Sequence, residues 1–339
     1  VGFMLTMYVL LDGFDLGAGA IHLVAARDNT ERRTILRAIG PVWDGNEVWL
    51  IAAGGTLFFA FPVLYAVSFS GFYLPLMIVL WLLILRGVAV ELRGHFANLV
   101  WAGLWDGAFF LGSALLAVFF GAAAGNVVRG VPLDGRSTFF EPLWTNFSPF
   151  SATPGILDWY TILIGLLALA ALTMHGANYI AVKTLGPLQQ RARRIARLAW
   201  LATIVLTVLG TLATFWVQPA VLEGFRARPW GVIFPLLAVA GLAAVEYFRR
   251  SERDLYALFA SGAYLAGMMW SSLVALYPMV LPAVNPANSL TISNASGSLY
   301  GQTVGLIWWL IGMALAAVYF VYVYRLFWGK VRGTEEGGY

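Results

Sequence analysis

Nine stretches of about 20 mostly apolar residues follow one another along this chain, and each has the length of a helix that crosses a bilayer. Helices are the form such stretches adopt, because every backbone N–H and C=O must be satisfied inside lipid. The sequence therefore predicts an all-α polytopic membrane protein with about nine transmembrane helices, at residues 1–26, 48–67, 70–90, 105–125, 157–181, 196–217, 230–248, 255–280 and 303–327.

Composition supports this class and excludes several kinds of site. The 339 residues are 60% hydrophobic and 11% charged, whereas a soluble domain is about one quarter charged. The chain has no Cys, which excludes disulfides, thiolate metal sites and cysteine nucleophiles within it. We expect one integral membrane domain over residues 1–339, because the apolar stretches are joined by connections too short to hold a soluble module.

The basic residues predict the orientation of the chain. All but four of the 21 Lys and Arg residues are assigned to connections that follow odd-numbered stretches, and Arg86, near the end of the third stretch, is among them; the four others are Arg129, Arg136, Arg226 and Arg228. Cytoplasmic connections are enriched in Lys and Arg, so we expect the N-terminus outside and the C-terminus in the cytoplasm. The net charge of +4 then reflects orientation and contact with lipid, and no nucleic-acid partner is expected.

Two acidic residues interrupt the first apolar stretch. Asp12 and Asp15 lie three residues apart and therefore on one face of a helix. An ionised carboxylate at the bilayer centre costs about 2.5–3.5 kcal/mol on insertion scales, so such residues are functional or paired. Two interpretations remain open: carboxyls that hold and relay protons, or hydrogen bonds to a neighbouring helix. Gly13, Gly17 and Gly19 predict close helix packing beside them.

A second acidic motif stands where the next stretch begins. Asp44 and Glu47 repeat the three-residue spacing, and Trp43, Asn46 and Trp49 are expected to pack around them. Acids in the first turn of a helix complement its dipole and cap free N–H groups. At the cytoplasmic face, the same acids would suit the mouth of a proton-uptake path. Both interpretations stay open at this stage.

Other polar residues have plainer interpretations. Asp106 opens the fourth stretch in a Trp-Asp-Gly motif like that of Asp44, so capping and proton uptake are again the two candidates. Glu91 is close in sequence to Arg86 and Arg93, which predicts a surface ion pair. A haem needs axial ligands that converge at one depth, and the chain's three histidines fall in separate places, at His22, His95 and His175. We therefore expect no metal or haem bound by this chain, and haem ligation by His22 or His175 stays open as an alternative that substitution and an absorbance spectrum would test.

Six segments resemble subunit II of the cytochrome bd quinol oxidases, and the likeness spans nearly the whole chain. The longest are the two acidic motifs, at residues 12–19 and 41–50; the others are Asn29-Thr30-Glu31-Arg32-Arg33, Phe69-Ser70-Gly71-Phe72-Tyr73, His175-Gly176-Ala177-Asn178-Tyr179 and Ser289-Leu290-Thr291-Ile292. The nine predicted spans and the outward N-terminus fit the same family.

The resemblance implies a fold, partners and roles. The fold is two four-helix bundles plus one peripheral helix, in the bacterial cytoplasmic (inner) membrane. The partner is subunit I, which carries haem b, haem d and the site of quinol oxidation, while this chain carries no haem and no catalytic residue. A structural quinone, lipid and small single-span accessory subunits are further partners of such complexes. Proton uptake is implied for Asp44, and Asp12, Asp15 and Asp106 are the other acids carried over.

An alternative function from another class is a secondary transporter or channel. Asp12 and Asp15 would then form the site of the coupling ion. Broken helices at matched positions of two inverted halves are typical of such proteins. The sequence shows no such pair, so the oxidase subunit is the favoured hypothesis.

Overall fold

The computed structural model describes residues 1–331 of the chain. Within this range the helices are α1 (Gly2–Ala25), α2 (Asn29–Ile39), α3 (Trp43–Ala60), α4 (Pro62–Gly71), α5 (Tyr73–Leu92), α6 (Leu99–Arg129), α7 (Trp159–Lys183), α8 (Gly186–Val217), α9 (Ala220–Ala227), α10 (Ile233–Arg250), α11 (Asp254–Leu276), α12 (Ile292–Ala295) and α13 (Leu299–Leu326). Two short strands, β1 (Met279–Leu281) and β2 (Leu290–Thr291), pair antiparallel after α11. Residues 332–339 lie outside the described part.

Among residues 1–331, eight helices are long and apolar enough to cross a membrane: α1, α5, α6, α7, α8, α10 with the 3₁₀ turn before it, α11 and α13. They coincide with eight of the nine predicted spans, so a helical multi-pass membrane protein is confirmed. The count of nine, the two four-helix bundles and the orientation of the termini stay predictions.

The remaining predicted span, 48–67, differs from the structure. It is divided between α3 and α4, which meet at Phe61, where the backbone leaves the helical region (φ −134°, ψ 65°). Pro62 explains the break, since proline lacks an N–H and disfavours the helical conformation of the residue before it. Helix α4 then continues to Gly71, so the residues between the predicted spans 48–67 and 70–90 are helical and the chain turns at Phe72.

Helix α1 lies at the centre of the molecule, with 67% of its most apolar stretch buried. It packs against α3, α6, α7 and α11. Its closest neighbour is α7: a Cβ added to Gly17 would lie 1.9 Å from the carbonyl oxygen of Leu172 and 2.8 Å from the Cα atom of Gly176. By contrast, α13 has no buried residue and lies at the periphery, beside α3.

The basic connections meet at one end of the molecule. At this basic end (connections 26–42, 93–98, 184–185 and 251–253), Arg191 of α8 donates to the carbonyl oxygen of Ala25 (2.7 Å) and contacts Glu31. Lys183 at the end of α7 donates to the carbonyl oxygen of Phe327 after α13 (2.6 Å). The connection 130–158 and the β1–β2 pair lie at the opposite end, where Val131 bridges to Ala283.

Candidate functional site

The carboxylate of Asp12 is paired inside the molecule with Arg86 of α5. The two guanidinium nitrogens Nη2 and Nη1 donate to its oxygens at 2.6 and 2.9 Å. The side chains of Asp12 and Arg86 are 0% and 1% exposed. The prediction that Arg86 lies at a cytoplasmic connection is wrong: α5 continues for six residues beyond it, and its side chain is buried.

Asp15 accepts its side-chain hydrogen bond from an uncharged group, which is itself held by a tyrosine. The Nδ2 atom of Asn46 donates to its Oδ2 atom at 2.7 Å, and the hydroxyl of Tyr324 on α13 donates to Oδ1 of Asn46 at 2.8 Å. The Oδ1 atom of Asp15 is buried without a hydrogen-bond partner among the described residues. Asp12 and Asp15 therefore share a helix face but differ in counter-charge.

The acids of α3 join this group from the basic end. Asp44 is exposed in the first turn of α3, where an acid complements the helix dipole, but no side-chain cap hydrogen bond is formed there among the described residues. Glu47 is 21% exposed, and one of its oxygens lies 3.3 Å from Nη2 of Arg86. The four acids thus pass from an exposed carboxylate, through a half-buried one, to the buried pair Asp12 and Asp15.

The aromatic residues of the motif pack against neighbouring helices. Trp49 is buried, and its ring lies 5.4 Å from that of Phe320 on α13 and 6.1 Å from that of Phe3 on α1. Trp43 packs on α5, where a Cβ added to Gly87 would lie 3.4 Å from its ring. These contacts hold α3 between α1, α5 and α13, which positions Asn46 and Glu47.

Asp106 forms a second buried cluster, separate from the first. Arg93 donates to it through Nε (2.5 Å) and Nη2 (3.0 Å), Arg32 through Nη1 (3.0 Å), and the Nε2 atom of His22 lies 2.6 Å from Oδ1. The capping interpretation of Asp106 is wrong, because Asn98 caps α6 with its side chain. A carboxylate with two guanidinium partners is well suited to fasten α1, α2, α5 and α6 together.

These contacts also test the prediction for Glu91, and His175 has buried partners of its own. The prediction that Glu91 forms an ion pair with Arg86 or Arg93 is wrong, since both guanidinium groups are bound to other carboxylates. His175 has contacts at both ring nitrogens, with the Ser261 hydroxyl (2.7 Å) and the carbonyl oxygen of Leu10 (2.9 Å).

The imidazoles of His175 and His22 differ in their free ring nitrogens. Both nitrogens of His175 are engaged, whereas His22 uses Nε2 for Asp106 and its Nδ1 atom is buried without a hydrogen-bond partner among the described residues. Within residues 1–331, no group of three or more His, Asp or Glu side chains is arranged to hold a metal ion. The polar groups in the interior of the described part are therefore mainly carboxyl groups and their hydrogen-bond and ion-pair partners.

A large groove opens beside the acidic group. It has a volume of about 2230 Å³ and is lined by apolar residues of α1, α11 and α13 and by polar residues at the basic end. Asp44, Trp43 and Tyr324 lie on its wall, as do Phe14 and His175. The groove therefore connects the surface near Asp44 with the apolar flank of α1.

The sequence did not predict that Arg86, His22, Arg93 and Tyr324 take part in the buried clusters around the acids. A signal for Arg86 was available: an acid buried in one span requires a counter-charge, and Arg86 is the one basic residue that still belongs to the apolar run of α5. No comparable signal exists for Tyr324, because its contact with Asn46 depends on how α13 packs against α3.

The chain is similar to known proteins over nearly its full length. The sequence model of the cytochrome bd terminal oxidase subunit II family matches residues 1–327. The "Probable cytochrome oxidase subunit 2" of Haemophilus influenzae is 32% identical over 98% of this chain and 92% of that protein. The "Cytochrome bd-I ubiquinol oxidase subunit 2" of Escherichia coli K12 is 30% identical over 97% of this chain and 91% of that protein.

A solved structure agrees with the sequence matches. The bd oxidase of Geobacillus thermodenitrificans superposes with a TM-score of 0.69 over 96% of each chain, at 17% sequence identity, which shows a shared fold. The family-model match and the two relatives at 30% identity or more rest on sequence and are therefore independent of the structural superposition. The chain belongs to the cytochrome bd terminal oxidase subunit II family.

Proposed function

We propose that this chain is the non-haem subunit of a quinol:oxygen oxidoreductase in the bacterial inner membrane, a single membrane domain that supports a haem-bearing subunit I. It contributes a path by which protons from the cytoplasm reach the oxygen-reducing site in that partner. Haem b and haem d supply the redox chemistry when bound in subunit I, and this chain alone is inactive. Family membership supports the assignment, and the Escherichia coli relative is named as a subunit of a ubiquinol oxidase.

The series of acids from the basic end to α1 carries the proposal of proton uptake. Asp44 is exposed, Glu47 is 21% exposed, and Asp12 and Asp15 are buried in the span. The positive-inside pattern assigns the basic end to the cytoplasm. Carboxyl groups in such a series accept and release protons one after another, which apolar residues of the same spans cannot do.

The four acids have different roles in this proposal. Asp44 accepts protons at the mouth and Glu47 passes them inward. Asp12 stays paired with Arg86 and holds α1 against α5, because a bidentate guanidinium is a strong partner for a carboxylate. Asp15 holds the exchangeable proton. It faces an amide and has no ion pair within the described part of the chain, and a buried charge without a counter-ion is costly. Asp106, tied to two arginines, is proposed as a support.

The groove offers a place for a structural quinone. Its volume of about 2230 Å³ and its apolar wall of α1, α11 and α13 suit a lipid-soluble molecule with an isoprenoid chain. We include such a quinone, together with lipid and small single-span accessory subunits, among the partners of the complex. Quinol oxidation itself is assigned to subunit I.

The transporter alternative has weaker support. A coupling cation at Asp12 and Asp15 would need free carboxylate oxygens, and the guanidinium of Arg86 contacts both oxygens of Asp12. A positive charge already lies where the cation would bind. The buried ion pair therefore favours proton handling at Asp15 over binding of a metal cation.

The assignment is tested by purifying the chain, tagged at one terminus, in mild detergent and recording a reduced-minus-oxidised absorbance spectrum. We expect haem bands together with a larger hydrophobic partner on a gel, and no haem bands once the chain is separated from that partner. A haem-free protein without a partner would contradict the oxidase assignment and favour the transporter.

Asp44→Asn is expected to lower oxygen-reduction turnover by roughly tenfold while the complex still assembles, because the amide cannot pass on a proton. Turnover is measured with excess quinol in proteoliposomes, and assembly by the haem content of the purified complex. Glu252→Gln is the matched control, since Glu252 is an exposed acid of the basic end, paired with Arg193. If Asp44→Asn retains full turnover in an assembled complex, Asp44 is a helix cap and the path begins elsewhere.

A further inference from the structure

The connection between α6 and α7, residues 130–158, is fastened by one buried arginine and two buried carboxyl groups. Arg129, the last residue of α6, donates through Nη2 to Oε1 of Glu141 (2.7 Å) and contacts Asp158 through Nη1. The side chains of all three are at most 1% exposed. One positive charge therefore faces two acids, and one of these lacks a counter-charge when both are ionised.

The two acids differ in the donors that surround them. Asp158 caps α7: its Oδ1 atom accepts from the backbone N–H groups of Tyr160 (2.8 Å) and Thr161 (2.9 Å), and its other oxygen is contacted by Arg129. Glu141 accepts from Arg129 through one oxygen, and its Oε2 atom is buried without a partner among the described residues. The ionised form is thus better supported at Asp158 than at Glu141.

Asn126, one turn before Arg129, adds a second buried acceptor. Its Nδ2 atom donates to the carbonyl oxygens of Ala122 (2.7 Å) and Ile156 (2.9 Å), which fixes the orientation of the amide. Its Oδ1 atom is buried without a donor among the described residues. Two buried acceptor oxygens, Oε2 of Glu141 and Oδ1 of Asn126, thus have no donor among the described residues, and a proton on Glu141 would supply one further donor.

We infer that Glu141 is a proton-binding site that holds the connection 130–158 in place while its carboxyl is protonated and releases it when the carboxyl ionises. Burial raises the pKa of Glu141 from 4.5 to about 7, although the adjacent Arg129 lowers it. The charged groups that face it are Arg129 from α6 and Asp158 from the cap of α7. Helix α4 contributes an uncharged contact, the carbonyl oxygen of Gly71, which accepts from the N–H of Glu141 (3.3 Å).

The direction of the pH effect follows from these values. The packed connection keeps its proton up to pH about 7, whereas an exposed glutamate releases it near 4.5. Between these limits the packed form binds more protons than the open form, so lowering the pH favours packing. Raising the pH from about 4.5 to about 7 removes the contribution of Glu141 to the stability of the packed connection. Above pH 7 the ionisation of Glu141 no longer changes that stability with pH.

Release of the connection 130–158 would also loosen its packing against the end of α4. Phe139, two residues before Glu141, fills the space over Gly71, where an added Cβ would lie 2.2 Å from the phenyl ring. The ring also packs edge-on against Phe72, with 5.0 Å between ring centroids. The site therefore couples protonation at the end of the molecule opposite the basic end to the break between α4 and α5.

Hydrogen–deuterium exchange of the assembled complex in lipid nanodiscs tests this inference. Protection of the backbone amides of residues 139–158 is expected to fall about tenfold between pH 5.5 and 7.5, after correction for the intrinsic exchange rate. In Glu141→Gln the neutral amide replaces the protonated acid, so protection should stay high at both pH values. The inference is overturned by a native complex without pH dependence, or by a Glu141→Gln variant that is unprotected at both pH values or fails to assemble.

Asp134→Asn is the matched control within the same connection. Asp134 is exposed, and the backbone and hydroxyl of Thr138 hold its pKa below the usual range. It stays ionised throughout the window, so the variant should keep the pH response of the native chain. Infrared spectra provide a second readout: a protonated carboxylic acid band that disappears as the pH rises should be absent from Glu141→Gln. The inference does not depend on proton uptake at Asp44.

Discussion

Arg86→Met is expected to prevent assembly of the complex. The substitution leaves Asp12 buried in the span without its counter-charge, and removal of one partner from a buried ion pair costs about 3–5 kcal/mol. That cost is a large part of the stability of a typical domain, about 5–15 kcal/mol. We expect little chain in the membrane fraction and no haem-containing partner with it, as measured by immunoblot and absorbance of the purified material.

The double variant Asp12→Asn with Arg86→Met separates charge from packing. It removes both charges, and replacing a whole buried ion pair by groups of similar volume is often close to neutral. Assembly should therefore recover, while Glu47, which also contacts Arg86, remains half-buried and reaches water. If the double variant fails as badly as Arg86→Met, the methylene stem of Arg86 and not its charge is what the fold requires.

Helix-forming stretches could be predicted from the sequence because they depend on local composition alone. Eight of the nine predicted spans coincide with helices, and Pro62 accounts for the break in the remaining one. The close crossing of α1 and α7 could be predicted only in part. Gly17 indicates that α1 has a face of small residues, whereas the fold alone shows that Gly176 of α7 packs against it. Local sequence patterns thus predicted the helices and one residue of the α1–α7 contact, but not its partner on the other helix.

The partners of the buried acids could not be predicted by the same rules. Asp12 and Arg86 are 74 residues apart, and so are Asp106 and Arg32. Spacing along one helix made Asp12 and Asp15 look alike, but α5 gives one a cation and α3 gives the other an amide. Asp44 and Asp106 share a Trp-Asp-Gly motif and end in opposite environments, one exposed and one buried. Chemistry at each acid is decided by the helix packed against it.

Gly17→Ala is expected to destabilise the chain by about 3 kcal/mol, the upper end of the cost of overpacking a core. The new Cβ would lie 1.9 Å from the carbonyl oxygen of Leu172 and 2.8 Å from the backbone nitrogen of Gly176. Both contacts are with backbone, so no rotamer change relieves them, and α1 must move away from α7. That shift would also displace Asp15 from Asn46. Thermal unfolding of the purified complex, followed by loss of haem absorbance, measures the effect.

Gly107→Ala is the matched control, because the same methyl group is added within a long helix, α6, where no atom of the described residues lies within 4 Å of it. Alanine is the better helix former by about 1 kcal/mol, so the control should be unchanged or slightly more stable. The difference between the two variants then isolates the helix crossing. If both variants unfold at the native temperature, α1 and α7 pack loosely enough to admit a methyl group. The crossing at Gly17 would then not fix the position of Asp15.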